Sequence, residues 1–198
     1  MKDVIKALDV GKATGKLFLS IAAGIRTDAI SNWLETECAI VRSMPNTPAL
    51  VQSGATGMYA NAASSEAQRE IAESILRAVG LTVWVDEEEQ IDAITALSGS
   101  GPAYLFLVME AMEQAGIQLG LPAKTARLLA VQTAFGASKL ALEVEEDPAI
   151  LRERVTSPGG TTEAALKVFE EHHLLKLFEQ AMTAARDRAG ELAEQLGQ

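Results

Sequence analysis

Short apolar runs alternate with amphipathic segments along the first 85 residues of the chain. Four runs have the length and composition of buried strands, and they cover residues 17–22, 39–43, 55–60 and 81–85. Between them, residues 26–34 and residues 64–79 show helical spacing of their apolar positions. Strands that alternate with helices predict an α/β sheet.

The pattern changes after an acidic turn at residues 86–89. Nearly every later segment has helical periodicity, and proline stands at the start of three of them, where it suits the first helical turn. The predicted helices cover residues 90–97, 102–115, 122–144, 148–154, 162–171 and 174–195. We therefore place a domain boundary near residue 88, with an α/β part in residues 1–88 and an all-helical part in residues 89–198.

The predicted helix at residues 102–115 is apolar on more than one side. Such a helix needs burial all round. A helical domain of about 110 residues has few places to surround one completely. This pattern predicts a subunit interface and hence an oligomer, with an ordinary central helix as the alternative.

Composition and charge narrow the class of protein. With 48% hydrophobic and 22% charged residues, the chain is typical of a globular protein. The net charge of −10 argues against attraction to nucleic acid or to an anionic membrane. We find no secretory signal in residues 1–16 and no run of the about 20 apolar residues that span a bilayer. We expect a soluble cytoplasmic protein with no nucleic-acid or membrane partner.

The cysteine and histidine residues of the chain do not indicate a metal site or a reactive thiol. The single Cys38 has no partner for an internal disulfide, and we interpret it as a small, semi-buried apolar residue. His172 and His173 are adjacent, so on a helix they point about 100° apart and cannot form a metal-binding pair. We predict no metal site.

Two glycine-containing segments fail as nucleotide-binding motifs. Residues 11–16 (GKATGK) are one residue short of a phosphate-binding loop, and Leu17 stands where the magnesium-binding hydroxyl belongs. Residues 99–104 (GSGPAY) place Tyr104 at the third glycine position of a dinucleotide fingerprint, after a segment predicted to be helical. Neither segment predicts a phosphate site.

Residues 155–162 (VTSPGGTT) form the most distinctive segment, between two predicted helices. Its two glycines permit main-chain conformations that other residues avoid, so N–H groups can converge on one point. The following helix adds unpaired N–H groups and the positive end of its dipole, and several hydroxyls add donors. This combination indicates an anion cradle, with a carboxylate as a natural ligand. A capped loop that merely joins two helices is an equally weighted alternative.

Four segments resemble signatures of the pyrroline-5-carboxylate reductases. They are residues 155–166 (VTSPGGTTEAAL), 42–48 (RSMPNTP), 97–104 (LSGSGPAY) and 20–24 (SIAAG). They follow the family's order and spacing, and the first and third are highly specific. The resemblance implies the C-terminal part of a Rossmann-like domain followed by a helical dimerisation domain. It also implies homodimers or rings of dimers.

The resemblance further implies a site. The substrate carboxylate would bind main-chain N–H groups and the Ser157 hydroxyl, while Thr162, the predicted catalytic residue, would approach the substrate ring nitrogen. The predicted substrate-binding residues are Val155, Thr156, Ser157, Pro158, Gly159, Gly160 and Thr161. The predicted cofactor-binding residues, which end two strands near the nicotinamide, are Ala22, Ala23, Gly24, Met44, Pro45 and Asn46.

The implied reaction is hydride transfer from NADPH or NADH to the imine carbon of 1-pyrroline-5-carboxylate, which yields L-proline as the last step of proline biosynthesis. A threonine hydroxyl has a pKa far above neutrality, whereas an efficient general acid has one near the working pH. We therefore interpret Thr162 as a residue that orients the substrate, which enters partly as an iminium.

The family's reductases begin with a strand, a glycine-rich turn and a helix that hold the cofactor pyrophosphate, and this sequence contains no such segment. We therefore expect an exposed sheet edge and weak or absent cofactor binding by this polypeptide. Two alternatives stay open: a hydroxyacid-type dehydrogenase with the same two-part plan, and a non-catalytic oligomerisation fragment. The former generally places a lysine on a helix at the site, and no lysine lies in the glycine motifs of this chain.

Overall fold

The structure is a computed structural model that describes residues 2–6 and 15–197. Residues 1 and 7–14, which belong to the rejected segments 1–16 and 11–16, lie outside the described residues. The described part separates into two compact units. The first runs to Pro102 and includes the residues from Ala181 onward, and the second is Ala103–Gln180.

The first unit contains a four-stranded sheet in the order β1-β2-β3-β4. Its strands are β1 (Leu17–Ser20), β2 (Ala39–Met44), β3 (Gly54–Ala60) and β4 (Gly80–Trp84). β1 is parallel to β2 and β3 is parallel to β4, but β2 and β3 are antiparallel. The link between β2 and β3 is shorter than the dozen or more residues that a parallel crossover needs. The α/β prediction is confirmed, and the sheet is mixed.

Nine α-helices accompany the sheet in the described residues. They are α1 (Lys2–Lys6), α2 (Thr27–Leu34), α3 (Glu66–Arg77), α4 (Gln90–Ile94), α5 (Gly101–Gln118), α6 (Ala123–Glu143), α7 (Pro148–Arg154), α8 (Thr161–Glu171) and α9 (Leu174–Leu196). A 3₁₀ turn spans Thr47–Val51, and a π-helical turn spans Thr95–Gly99. The predicted helix at residues 90–97 therefore changes from α to π geometry after Ile94.

The end of α5 corrects one prediction. We expected this helix to stop before Gly116, but it continues to Gln118. A Cβ atom on Gly116 would lie 3.2 Å from the Cβ of Ala126 in α6. Here glycine therefore serves close packing between two helices, and the left-handed turn falls later, at Gly120, where φ is +98°.

Successive residues of β2 point to opposite faces of the sheet and join different cores. Ile40 packs in a cluster with Trp33 and Leu34 of α2. Val41 packs in a second cluster with Met58 of β3 and Leu76 of α3. Helices therefore cover both faces, as a doubly wound α/β layer requires. Cys38 belongs to the first core, and burial raises the pKa of its thiol, as expected for a small apolar residue.

Arg42 of β2 ties the sheet to the segment that follows β4. Its side chain is 2% exposed and forms ion pairs with Glu88 at 3.3 Å and Asp92 at 3.2 Å. Glu88 also accepts hydrogen bonds from the main-chain N–H and the hydroxyl of Thr27, at the start of α2. These bonds fix α2, β2 and α4 relative to one another within the first unit.

The second unit has an unusually apolar surface. Many large apolar side chains of α5 and α6 are exposed in this chain, and the most exposed include Phe106, Leu107, Leu128, Phe135 and Leu142. Only Ala126 and Ala130 of α6 are buried among the residues of these two helices. Large apolar side chains exposed in such number normally contact another surface.

One helical stretch of the described chain, Gln90–Gln118, is long and apolar enough to cross a membrane, with a mean hydropathy of 1.3 over an 18-residue window. The sequence contains no uninterrupted apolar run of that length, but this helix passes a test on length and mean hydropathy that we had not expected any segment to pass. One helix of this kind is weak evidence for a membrane span, since helices of soluble proteins pass the same test.

Candidate active site

The carboxyl ends of two parallel strands carry the predicted cofactor segments. β1 and β2 are parallel, so their carboxyl ends lie at the same edge of the sheet. Ala22–Gly24 and Met44–Asn46 stand at these ends, and we call the two segments together the carboxyl edge. The buried hydroxyl of Ser43 donates to the carbonyl of Ser20 at 2.9 Å, which ties the two strands together where the segments begin.

Gly24 is required by packing and by backbone conformation. Its φ is +68°, in the left-handed region that favours glycine. A Cβ atom there would lie 3.2 Å from the Cβ of Leu192 in α9. Gly24 therefore shapes the turn after β1, and Ala22 and Ala23 are the residues of this segment that retain exposed surface.

Asn46 joins two of the sequence motifs. Its side-chain Nδ2 donates to the carbonyl of Ser98 at 3.0 Å, and its Oδ1 accepts from the N–H of Ala55 at 2.9 Å. Beside it, a Cβ atom on Gly99 would lie only 2.8 Å from the Cε of Met44. The structure thus brings the motif at residues 42–48 against the motif at residues 97–104.

The glycine loop of the second unit has the shape that its sequence predicts. α7 ends at Arg154 and α8 begins at Thr161, with the turn between them. Gly159 has φ of +71°, and a Cβ atom on Gly160 would lie 2.9 Å from the carbonyl oxygen of Ser157. Both glycines are therefore needed for this backbone.

The main-chain donors of the loop fall into two groups. Three of them already have partners in the protein. The N–H of Thr156 donates to the carbonyl of Glu153, and the N–H of Gly160 donates to the carbonyl of Ser157. The N–H of Gly159 donates to the carboxylate of Glu163. Within the described residues, the N–H groups of Ser157, Thr161 and Thr162 donate no hydrogen bond. The last two open α8, where the helix dipole favours negative charge.

The hydroxyls of the loop divide in the same way. The Thr156 hydroxyl donates to the carbonyl of Arg152 at 2.6 Å and so caps the end of α7. Among the residues that the structure describes, the hydroxyls of Ser157, Thr161 and Thr162 have no partner, and Thr162 is half-buried. A loop with uncommitted N–H groups and hydroxyls at a helix N-terminus can bind a small carboxylate.

Comparison with known proteins assigns this chain to a family. A family model described as pyrroline-5-carboxylate reductase dimerisation matches residues 88–192. The pyrroline-5-carboxylate reductase of Pseudomonas aeruginosa is 54% identical over 198 residues, which are 100% of this chain and 72% of the relative. The chain belongs to the pyrroline-5-carboxylate reductase family. The Haemophilus influenzae reductase is 47% identical over 196 residues, or 97% of this chain and 71% of the relative.

Solved structures of pyrroline-5-carboxylate reductases have the same fold. That of Coxiella burnetii matches with a TM-score of 0.93 and 51% identity, over 97% of this chain and 72% of that one. That of Plasmodium falciparum, with NADP bound, matches with a TM-score of 0.88 and 26% identity, over 97% of this chain and 72% of that one. The predicted Rossmann-like and helical fold class is confirmed, and the match favours a reductase over a hydroxyacid dehydrogenase.

The reductase family also accounts for the apolar surface of α5 and α6. The family model that describes dimerisation covers both helices and includes the apolar stretch Gln90–Gln118. Subunit contact is therefore the expected cover for Phe106, Leu107 and Phe135, which are exposed in the single chain. This agrees with the oligomer predicted from the sequence.

The carboxyl edge fits the nicotinamide cofactor of a pyrroline-5-carboxylate reductase. None of its six residues carries a charge, and Ala22, Met44 and Pro45 are half-buried. A neutral, partly apolar surface with main-chain hydrogen-bonding groups, at the carboxyl ends of parallel strands, suits a nicotinamide ring and its carboxamide.

Sequence reasoning missed two contributors to these sites. Glu163 binds the N–H of Gly159 at 2.9 Å, and a glutamate three residues after the helix-capping Gly160 is a known capping signal that could have revealed it. Ser98 was noted within a motif but given no role, and its contact with Asn46 spans 52 positions of sequence. No local pattern could have revealed that contact.

Proposed function

We propose that this chain reduces 1-pyrroline-5-carboxylate to L-proline with NADPH or NADH, and that residues 155–162 bind the substrate carboxylate. One observation carries the proposed binding site: the N–H groups of Thr161 and Thr162 and the hydroxyl of Ser157 are uncommitted in the described structure and lie at the N-terminus of α8. A carboxylate there receives main-chain hydrogen bonds and the favourable end of the helix dipole. This local field outweighs the net charge of −10.

In this proposal the loop residues divide the work of binding. Ser157 donates its hydroxyl to the carboxylate, and Gly159 and Gly160 give the backbone its turn. The Thr156 hydroxyl anchors the loop to α7 through its hydrogen bond to the carbonyl of Arg152. Val155, Pro158 and Thr161 complete the surface that contacts the substrate. Main-chain donors fixed by two glycines need little reorganisation when the ligand arrives, which favours orientation of a small cyclic imine.

Thr162 orients the imine nitrogen. Thr162 directly follows Thr161, whose N–H group would bind the substrate carboxylate. The ring nitrogen of the substrate is bonded to the carbon that carries this carboxylate, so it would lie near the Thr162 hydroxyl. A threonine hydroxyl is a poor acid near neutral pH. We therefore assign Thr162 a hydrogen-bonding role, with the substrate partly protonated before it binds.

The carboxyl edge would hold the nicotinamide. When bound, the reduced cofactor supplies the hydride that adds to the imine carbon, while the nitrogen keeps its proton and becomes the secondary amine of proline. Ala22, Ala23 and Gly24 would leave room for the ring after β1. Met44, Pro45 and Asn46 would border it after β2.

We also propose the setting of this activity. A boundary near residue 88, where the family model for dimerisation begins, would separate the cofactor-binding part from the dimerisation part, whereas the compact units of the structure divide at Pro102 and Ala181. The assembly would be a homodimer or a ring of dimers. The enzyme would act in the cytoplasm.

The experiment measures oxidation of NADPH and NADH with 1-pyrroline-5-carboxylate as the second substrate. Ser157→Ala should raise the KM for pyrroline-5-carboxylate about tenfold, the effect of losing a hydrogen bond to a charged group. The cofactor KM should stay unchanged. Thr82→Ala is the matched control, since it removes a hydroxyl that donates to Glu73 in the first unit, outside the loop, and should leave the substrate KM unchanged. Equal substrate KM values in both variants would contradict the carboxylate site.

A pH profile tests the role of Thr162. Thr162→Ala should lower kcat by a similar factor at every pH, because an orienting bond does not depend on bulk proton concentration. A loss confined to high pH would instead show that Thr162 helps to protonate the substrate.

A further inference from the structure

Asn46 stands where an asparagine usually caps a helix, yet its side chain makes only long-range bonds. It is the N-cap residue of the 3₁₀ turn Thr47–Val51, and it forms no side-chain cap hydrogen bond there. Asparagine is a favoured capping residue because its oxygen accepts from the first N–H groups of the helix. Here that oxygen accepts instead from Ala55, nine residues away, at 2.9 Å.

The second hydrogen bond of Asn46 goes to a carbonyl that has a proline four residues later in the chain. In an α-helix the carbonyl of Ser98 would accept from the N–H of residue 102. Residue 102 is Pro102, which has no N–H group. The Nδ2 of Asn46 donates to this carbonyl at 3.0 Å and so takes the place of an i+4 donor at the junction between the π-helical turn and α5. The pairing occurs within the π-helical turn Thr95–Gly99, a type of turn that is frequent at functional sites.

The neighbouring packing makes this connection specific. Gly99 stands so close to Met44 that a Cβ atom would lie 2.8 Å from the methionine Cε. Ser98 and Gly99 therefore contact Asn46 and Met44 through one hydrogen bond and one close packing contact. The segment 44–46 of the carboxyl edge is thus fixed on one side by the start of β3 and on the other by the π-helical turn.

We infer that Asn46 is a positioning residue for the cofactor: its side chain sets the main chain of residues 44–46 by supplying the donor that Pro102 lacks. This inference rests on the proposed function, in which the carboxyl edge holds the nicotinamide. Both polar atoms of the Asn46 side chain are already used by the protein. Its contribution to cofactor binding is therefore the position of the backbone.

The test compares Asn46→Asp with Asn61→Asp in the full chain. Aspartate at position 46 keeps the acceptor for Ala55 but loses the donor to Ser98. Asn61 is a matched control because its Nδ2 donates to the carbonyl of Cys38 at 2.9 Å and its Oδ1 accepts from the N–H of Ile40 at 3.0 Å, near the opposite end of β2. Both substitutions remove one donor to a carbonyl and add one charge.

We expect Asn46→Asp to raise the Kd and KM for NADPH about fivefold to tenfold, as for one lost hydrogen bond, with the KM for pyrroline-5-carboxylate within about twofold of wild type. Asn61→Asp should lower the Tm similarly and leave both NADPH constants unchanged. Pro102→Ala restores an N–H group at residue 102, so Asn46→Asp combined with Pro102→Ala should regain part of the lost NADPH affinity and Tm.

Two results would overturn the inference while the proposed function stands. One is an active Asn46→Asp enzyme whose NADPH constants match those of Asn61→Asp. The other is a double variant with no recovery over Asn46→Asp in either NADPH affinity or Tm. A wild-type chain that binds NADPH but does not reduce pyrroline-5-carboxylate would overturn the proposed function, while the NADPH comparison of Asn46→Asp with Asn61→Asp would still decide this inference. The Tm comparison of the double variant would still report whether Asn46 replaces the missing donor.

Discussion

The carboxylate of Glu163 accepts a hydrogen bond from the main-chain N–H of Gly159 at 2.9 Å. The same carboxylate lies 3.6 Å from the Nζ of Lys167, one helical turn further along α8. The protein's own carboxylate therefore occupies one donor of the loop that we propose for the substrate carboxylate. It keeps the left-handed Gly159 in place, and it also adds a negative charge beside the incoming anion.

Neutralising that charge should improve substrate binding. In Glu163→Gln the side-chain oxygen still accepts from Gly159, so the loop keeps its shape, but the repulsion between like charges is gone. We expect the KM for pyrroline-5-carboxylate to fall about two- to fivefold, the scale of an exposed charge interaction. Steady-state kinetics at low ionic strength measure this.

Glu143→Gln is the control for this substitution. Glu143 pairs with Lys139 at 3.6 Å and i,i+4 spacing, as Glu163 pairs with Lys167, but no hydrogen bond or ion pair among the described residues joins it to the loop. The control should leave KM unchanged. A rise in KM for Glu163→Gln would show that the negative charge of Glu163 supports the site.

A methyl group on Gly160 should distort the loop. Its Cβ would lie 2.9 Å from the carbonyl oxygen of Ser157, a main-chain atom that cannot move without moving the turn. We expect Gly160→Ala to raise the substrate KM at least about tenfold through misplacement of the Thr161 and Thr162 donors. Gly136→Ala is the control, because a Cβ on Gly136 in α6 meets no atom within 4 Å and alanine favours helix. An equal KM in the two variants would contradict the proposed geometry.

Removing Arg42 should destabilise the first unit strongly. Its guanidinium is almost completely buried between Glu88 and Asp92, and both carboxylates would lose their buried partner. We expect Arg42→Met to lower the free energy of unfolding by about 3–5 kcal/mol. Urea denaturation measures the change.

The control replaces an arginine in an exposed pair. Arg186 lies 2.6 Å from Asp187 with both side chains more than half exposed, so Arg186→Met should cost less than about 1 kcal/mol. If both variants lost the same stability, the buried network would not hold the sheet as we describe.

A charge on the apolar surface of α5 should weaken the subunit assembly. Phe106 is 62% exposed in the single chain, within the region that matches the dimerisation model. Phe106→Asp should shift the mass measured by light scattering toward the monomer, because an unpaired carboxylate is costly to bury. Ile71→Asp is the control, since Ile71 is 54% exposed on α3 in the first unit, outside that region. A wild-type monomer would contradict the proposed interface.

The sequence predicted most elements of the fold to within a few residues. Local spacing determined β2 and α2, since apolar periodicity and short-range sterics act within one segment. The helix boundary at Gly116 was wrong because the small residue serves packing against Ala126, which lies on another helix. The direction of β3 relative to β2 likewise needed the structure, because strand pairing is a non-local choice.

The sequence by itself determined the loop at residues 155–162, because its glycines, hydroxyls and following helix act within eight positions and locally constrain the backbone. It also determined the family, since the signature motifs can be read directly from the amino-acid sequence. Only the tertiary structure decided that Asn46 serves the carbonyl that Pro102 leaves without a donor, and that Arg42 lies between two carboxylates. The physical reason is that a hydrogen bond or an ion pair depends on distance in space, and folding brings together groups that are about fifty positions apart in the chain.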